Sequence, residues 1–511
     1  MTNLCLSRCL ALLTFLAFAH TSQATPSEAT VQEAEKPNVL ILMFDDMRFD
    51  SFSYRGGPVH TPNIDALAAE STRFDYAMST TGLCSPSRAA FFTGRWGHKT
   101  GLDDNVELYH SRQTALSPSE GGLLKRASDS GYFVGYVGKW HLGAQGPRLR
   151  GADFVTGKSE TDAVKYKPRV PRDREQGILR YQAGLLDEND EKHQYYQTLP
   201  GTFDDTKAAE KMRNGQQMLR EAARDGRPLF GVVSFNQPHP AYRVPEPYAS
   251  MFDPDTLTLP KNHLAPRVNK PMAQDGIWWP WHDVSHMTEK DWRQSRAHYY
   301  GAIAMVDRIV GELISTAKEV GIYEQLHIVL LGDQGSMIGE HGLFDKGPYA
   351  YDELMRIPLL IRKPGATPRA ITRHVSMIDV APTLAEWMQL DNDGDVDGES
   401  LNPLIEQGNR ARSDADDHAL YAYEWYNGAW FGVRAIRNHQ YKFVWYPSDE
   451  IDELYDLKAD PFELNNLANN PEYRHTAIQM QNLMERELVR IHDPAVEKLR
   501  FQKKRYLQQP K

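Results

Sequence analysis

The chain reads as an α/β protein: a mostly parallel sheet flanked by helices, followed by a smaller C-terminal α+β subdomain. Three observations carry that expectation. Strand-like and helix-like segments alternate along most of the chain. The strand-like runs are continuously apolar, as strands covered on both faces are. Beyond about residue 411 the pattern changes to paired strands and then a helix, which argues a separate layer arrangement.

Taken in order, Asn38 to Phe44 is an unbroken apolar run that ends at Asp45-Asp46. Thr61-Pro62 opens a short helix through Glu70, with threonine as N-cap and proline at the first helical position. Thr206 to Asp225 has helical spacing at Ala208, Met212, Leu219 and Ala222, and stops at Gly226. Pro228 to Phe235 follows as a strand leading to Pro238-His239. Arg296 to Val320 is a helix with Tyr300, Ile303, Ala304, Val310 and Leu313 on its buried side and Gly321 as terminator. Leu326 to Leu331 is another buried strand, ending at Asp333-Gln334-Gly335. Phe431 to Ile436 and Tyr441 to Tyr446 read as paired strands around Asn438-His439, and Pro471 through Ile491 as a helix. Three of these strands run into polar residues at their carboxyl ends, where open α/β sheets bind ligands.

The first residues carry a basic Arg8, an apolar Cys9 to Ala19 and a small-residue Ser22-Gln23-Ala24. That pattern is a secretory signal peptide over residues 1–24, cleaved after Ala24, and it sends the protein to the periplasm or outside the cell. Thr25 to Lys36 reads as a polar, mobile lead-in, residues 37–410 as the main α/β domain and 411–511 as the C-terminal subdomain. No later stretch is long and apolar enough for a membrane span. The formal charge is -10, and losing Arg8 makes it one unit more negative. A mildly acidic chain without a long basic run is not a nucleic-acid binder, and any attraction for an anionic substrate must be local. Asp391, Asp393 and Asp395 alternate like part of a calcium loop but lack its glutamate, and read as a solvated loop.

The leader takes Cys5 and Cys9 with it, so Cys84 stands alone without a disulfide partner. It lies in Cys84-Ser85-Pro86-Ser87-Arg88, followed by Thr93-Gly94. The six fixed positions of C-x-P-S-R-x4-T-G arise by chance in a chain this long about once in 10⁵ trials. Asp45 and Asp46 are adjacent carboxylates whose repulsion, if buried, raises a pKa unless a cation intervenes. Asp333 and Gln334 add two oxygen donors, and all-oxygen ligation suits calcium or magnesium rather than zinc. Each pair alone is equally well a turn cap or a solvated loop acid. Lys139 and His141, in Gly138-Lys139-Trp140-His141-Leu142-Gly143, face one pocket if that segment is extended. His239 is bracketed by Pro238 and Pro240, and Lys346 sits in a charged, glycine-bounded loop.

Taken together, N-V-L-I-L-M-F-D-D, C-S-P-S-R, G-K-W-H-L-G, the proline-histidine at 239, and G-D-Q-G with G-E-H-G resemble the type I, formylglycine-dependent sulfatases of the alkaline phosphatase superfamily. Glu453 to Ala468 is similar to that family as well. The resemblance implies an alkaline-phosphatase-like fold and a sulfuric ester hydrolase. It implies that Cys84 is oxidised to Cα-formylglycine by a maturation enzyme, that Arg88 holds it, and that Asp45, Asp46, Asp333, Gln334 and residue 84 bind a Ca2+ ion (Mg2+ being the second choice). Lys139 and Lys346 would bind sulfate oxygens. His239 would protonate the departing alcohol, and His141 would take the proton that lets sulfate leave. Gln334 stands where asparagine or histidine is more familiar, lengthening one arm of the metal site, and Phe92 replaces a common leucine. Gly151 to Thr202 and Leu257 to Lys290 are natural specificity insertions; the second holds Trp278, Trp279, Trp281 and His282, which stack on sugars or simply pack. Secretion and those aromatics favour a sulfated carbohydrate. The rival readings are a phosphate or phosphonate ester hydrolase, a non-catalytic carbohydrate-binding protein and a transferase.

Overall fold

The structure, a computed structural model, describes residues 36–106, 113–120, 122–144, 146–156, 195–274, 284–285, 287–391, 395–426 and 430–508. The leader and lead-in, the 278–282 aromatic cluster, Asp393 and most of 151–202 lie outside them.

Nine strands form the central sheet: β1 (Asn38–Asp45), β2 (Thr72–Met78), β3 (Phe133–Gly138), β4 (Phe154–Thr156), β5 (Leu229–Pro238), β6 (Leu326–Gly332), β7 (Arg356–Ile357), β8 (Leu359–Arg362) and β9 (Arg369–Ser376). Their order is β7-β2-β8-β6-β1-β5-β3-β4, with β9 beside β2. β1 pairs in parallel with β5 and β6, and β3 in parallel with β5 and β4. Among the described strands of this sheet, only β7 and β8 run antiparallel to their neighbours. The mostly parallel α/β expectation holds.

Strand periodicity divides β1 between two cores. Leu40, Leu42 and Phe44 join the apolar cluster on one face of the sheet, and Val39, Ile41 and Met43 join the cluster on the other. The helices that cover these faces are α1 (Pro62–Ala69), α2 (Cys84–Thr93), α3 (Lys207–Asp225) and α4 (Glu289–Glu319). The Thr206 hydroxyl caps α3 by accepting from Ala209 N, and Gly226 ends it at φ 82°. α4 begins seven residues before the apolar pattern does. Its first two turns are polar but for the buried Trp292, and Thr288 with Asp291 starts them as a capping box. Ile303, Val310 and Leu313 are buried as expected, while Tyr300 and Ala304 are half-buried on the flank. Thr61 precedes α1, yet its hydroxyl bonds the Asp65 carboxylate and Ser53 rather than the helix backbone.

Beyond Ala419 the chain builds a second, four-stranded antiparallel sheet: β10 (Ala419–Tyr426), β11 (Trp430–Arg437), β12 (Tyr441–Trp445) and β13 (Glu453–Asp456). Helix α5 (Arg474–Arg490) packs on it. Leu420, Ile436, Phe443 and Met480 share one apolar cluster with Ala90, Trp96 and Ile378 of the larger layer. Asp352 adds charge to that junction, accepting from Arg437 at 3.0 Å and Lys442 at 3.1 Å. Asp395 is 60% exposed, in keeping with a solvated loop, and pairs with Arg95 at 2.8 Å. No described helix is long and apolar enough to cross a membrane.

Candidate active site

Four sheet ends and one helix start meet at the carboxyl edge. Asp45 is the last residue of β1, and the chain turns at Asp46 with φ 60°. Asp333 follows β6; its N–H donates to Phe44 O at 3.0 Å, and its Oδ1 accepts from Asp46 N at 3.2 Å. β5 delivers His239, whose N–H donates to Asn236 O at 2.8 Å. β3 ends at Gly138, where a side chain could not fit: a Cβ would lie 1.9 Å from Ser234 O. Cys84 is the first residue of α2, a helix buried along its whole length. Leu83 at its N-cap offers no side-chain hydrogen bond, so the first backbone N–H groups need partners from elsewhere. Ser85 N finds one in Asn105 Oδ1 at 3.0 Å.

Ligand oxygens of Asp45, Asp46 and Asp333 all lie within 4.8 Å of one another, and each carboxylate has its own cation. Lys139 Nζ donates to Asp45 Oδ2 at 2.5 Å, Lys346 Nζ to both oxygens of Asp46 at 3.0 Å, and Arg88 Nε to Asp333 Oδ2 at 2.8 Å. Arg88 also donates to Ser234 Oγ at 2.7 Å and to Lys139 O at 3.0 Å. The crowding leaves a clear electrostatic signature. Burial pushes Asp45 up, but Lys139, His239 and Arg88 hold it well below the usual carboxylate range. Asp46 is driven well above that range by burial, with Asp345 and Asp45 adding to it against Lys346. Asp333 is pushed up to about 7 by burial and the charge of Asp45. Three packed carboxylates are therefore not neutralised evenly by protein cations alone.

Gln334 supplies the test of whether a metal ion suits this cluster. Its Nε2 donates to Asp46 and, at 3.2 Å, to Cys84 Sγ, while its Oε1 is buried without a partner. Turning the amide over aims that orphaned oxygen at the carboxylates, completing an all-oxygen donor set for a hard divalent cation. The residues present fit calcium or magnesium.

Cys84 is buried, and burial followed by the charge of Asp45 pushes its thiol well above the usual range. A thiol held protonated is a poor nucleophile. His239 Nε2 stands 3.9 Å from Asp46 Oδ2, and ligand atoms of His239, Asp45 and Cys84 lie within 4.8 Å of one another. Burial and then Lys346 lower the imidazole to about 4. Lys139 and His141 do not lie on an extended segment. Gly138 and His141 both adopt positive φ, 95° and 59°, so the chain coils after β3. Lys139 turns to Asp45, and the carbonyl of His141 accepts from Ser85 Oγ at 2.6 Å, tying the loop to the residue after Cys84. Phe92 packs against Trp140 with ring centroids 5.4 Å apart, which joins α2 to the same loop.

Sequence reasoning missed three contributors. Asp345 accepts from Lys346 at 3.2 Å and has a ligand oxygen near the carboxylate oxygen of Asp46 and the ring nitrogen of His239. Its adjacency to Lys346 was the available signal. Ser234 and Asn105, which hold Arg88 and the start of α2, carry no motif of their own.

Residues 37–390 match the sulfatase family model, and residues 339–490 match the model of the N-sulphoglucosamine sulphohydrolase C-terminal region. An N-acetylglucosamine-6-O-sulfatase of Bacteroides thetaiotaomicron is 28% identical over 93% of this chain and 89% of its own. A choline-sulfatase of Rhizobium meliloti is 29% identical over 85% of this chain and 83% of its own. Among solved structures, the phosphonate monoester hydrolase of Agrobacterium radiobacter superposes with a TM-score of 0.71 at 24% identity, covering 89% of this chain and 96% of the other. BT4656, solved with its substrate D-glucosamine-2-N,6-O-disulfate, gives 0.69 at 22% identity, covering 90% and 99%.

Proposed function

From the premise that the chain belongs to the sulfatase family of the alkaline phosphatase superfamily and is a sulfatase, we propose that it removes sulfate from a sulfated carbohydrate, with a formylglycine made from Cys84 by a maturation enzyme and one bound calcium ion. The observation that carries this reading is the meeting of Cys84, Asp45 and His239, their ligand atoms within 4.8 Å, beside three carboxylates and Gln334. Relatives named for N-acetylglucosamine-6-O-sulfate and ulvan support the carbohydrate class. The leader-like N-terminus supports export to the periplasm or beyond.

Each side chain has a task that its position supports. Asp45, Asp46, Asp333 and Gln334 would hold the ion, which when bound neutralises the carboxylates and polarises a sulfate oxygen. The hydrated aldehyde of residue 84 supplies a hydroxyl where a buried thiol would stay protonated. Arg88, tied to Asp333, Ser234 and the Lys139 carbonyl, fixes the start of α2. Lys139 and Lys346 place positive charge where the sulfate oxygens gain charge. His239, lowered to about 4, is mostly neutral at pH 7 in this arrangement, and an entering sulfate ester raises its proton affinity. It then donates to the departing alcohol oxygen, while His141 takes the proton from the remaining hydroxyl as sulfate leaves.

Sulfate release from a panel of sulfated saccharides, set beside matched phosphate and phosphonate esters, tests the reading. Faster turnover of the phosphorus esters would move the chain to the phosphonate hydrolase side of the fold. No turnover of either by the matured, calcium-loaded protein would make it a binding protein.

A further inference from the structure

Lys211 lies near the start of α3, where that helix passes the carboxyl ends of β3 and β5. Its aliphatic stem runs beside Gly138; a Cβ added to that glycine would meet Lys211 Cδ at 3.3 Å. Its ammonium donates to Asn236 Oδ1. Asn236 is exposed and belongs to the His239 turn, since its carbonyl accepts from His239 N at 2.8 Å. The pair therefore joins the rim of the site to its interior.

Lys211 has no carboxylate of its own. Three other cations at this edge each have one: Lys139 has Asp45, Arg88 has Asp333 and Lys346 has Asp46. Among the described residues no carboxylate lies within ion-pair distance of Lys211. Burial, then Lys139 and Arg88, lower its ammonium to about 8. A lysine on a helix ordinarily swings its head into water. This one is half-buried and held by an amide oxygen, with the charges of Lys139 and Arg88 acting on it, in a chain whose formal charge is -10. An anionic group arriving there would gain a charge-assisted hydrogen bond and relieve the crowding.

We propose that Lys211 and Asn236 bind a second anionic group, a sulfate or a carboxylate, carried by the same saccharide as the scissile sulfate and lying on the leaving-group side beside His239. The inference rests on the sulfated-carbohydrate reading and makes the substrate a multiply charged one. Asn236 would add its side-chain N–H₂ to the anion while its oxygen steadies the lysine.

The test measures binding in the Cys84→Ala protein, calcium-loaded, by calorimetry. The ligands are a monosulfated disaccharide, its disulfated counterpart and its sulfated uronate counterpart. The second anion should raise affinity about tenfold, the scale of one charge-assisted hydrogen bond. That ratio should collapse toward one in Lys211→Met and survive in Lys211→Arg. The disulfated and uronate arms tell which anion the site takes. Equal affinity for singly and doubly charged ligands, or the same ratio in Lys211→Met, would overturn the proposal. So would a Lys211→Met protein that weakens all three ligands alike, since that would make Lys211 a support of the sulfate site. Sulfate release from nitrophenyl sulfate by the unaltered protein reads the underlying activity separately, so the loss of one reading is not mistaken for loss of the other.

Discussion

Arg88 Nε donates to Asp333 Oδ2 at 2.8 Å, binding a residue one helical turn past Cys84 to the loop that follows β6. Both side chains are fully buried. The contact makes the geometry of residue 84 depend on the loop that carries Asp333, and a defect in either propagates to the other.

Truncating Arg88 leaves Asp333 buried without its cation and Ser234 without its donor. Arg88→Ala should destabilise the fold by about 3–5 kcal/mol, the usual cost of breaking one side of a buried pair. Arg88→Lys keeps the charge but loses the planar fork that reaches three acceptors, and should recover only part of the loss. Urea unfolding measures both. Equal stability of all three proteins would show that the ion pair matters little.

In a host that matures such enzymes, the peptide containing residue 84 should be roughly 18 Da lighter than the cysteine form, a covalent change that replaces the thiol by an aldehyde. Cys84→Ala should abolish turnover without unfolding the chain. Free thiol in fully active protein, found by peptide mass, would remove formylglycine from the mechanism.

The sheet was legible because its strands obey two plain rules, continuous apolarity for strands buried on both faces and polar residues at their carboxyl ends. Asp45 and Asp333 could be brought together on that basis alone. The early start of α4 was not legible from apolar spacing, because Trp292 is the single apolar side chain between Glu289 and Ser295 and the capping box marks the boundary. The geometry after β3 was also hidden. Nothing in Gly138 to Gly143 says that His141 adopts positive φ and presents its carbonyl to Ser85. Asp345 and Lys211 escaped notice for a further reason. A charged residue next to a lysine, or on a helix, is ordinarily solvated, and only the folded arrangement shows what faces it.

The orphaned Gln334 oxygen and the three carboxylates predict one calcium ion per chain. Adding calcium to chelator-treated protein should raise its melting temperature, and elemental analysis should find the ion in near-stoichiometric amount. Asp46→Ala should lose the ion. Gln334→Asn should bind it more weakly, because the shorter amide must reach farther. Stoichiometric zinc in active protein would count against the oxygen site.

Acid should weaken the fold through buried histidines outside the site. His374 Nδ1 lies 2.8 Å from Asp417 Oδ1, and burial, with Arg437 beside it, lowers the imidazole to about 4 despite that carboxylate. The unfolded chain binds a proton near pH 6.5 that the folded chain refuses until about 4. Protons therefore favour the unfolded state across that window, and stability falls as the pH drops from 6.5 toward 4. For one buried histidine the loss is on the order of 3 kcal/mol. His374→Gln should flatten the slope of unfolding free energy against pH in that range. An unchanged slope would show that His374 is protonated as readily in the folded protein as in the unfolded one.

Leaving-group chemistry separates the roles proposed for His239 and His141. If His239 protonates the departing oxygen, its loss should hurt esters of weakly acidic alcohols such as sugars far more than nitrophenyl sulfate. Nitrophenolate departs without a proton, whereas a sugar alkoxide does not, and general acid help is commonly worth about 10² to 10⁴ in rate. The position of His239 supports that role, since its ring nitrogen lies near Cys84 while its side chain is still 25% exposed. His141→Ala should slow both substrates alike, because sulfate must leave residue 84 whatever alcohol preceded it. Single-turnover kinetics of both variants on nitrophenyl sulfate and a sulfated sugar would decide between these roles. Equal losses on the two substrates for His239→Ala would transfer the proton donor elsewhere, and a loss confined to the sugar for His141→Ala would name the replacement.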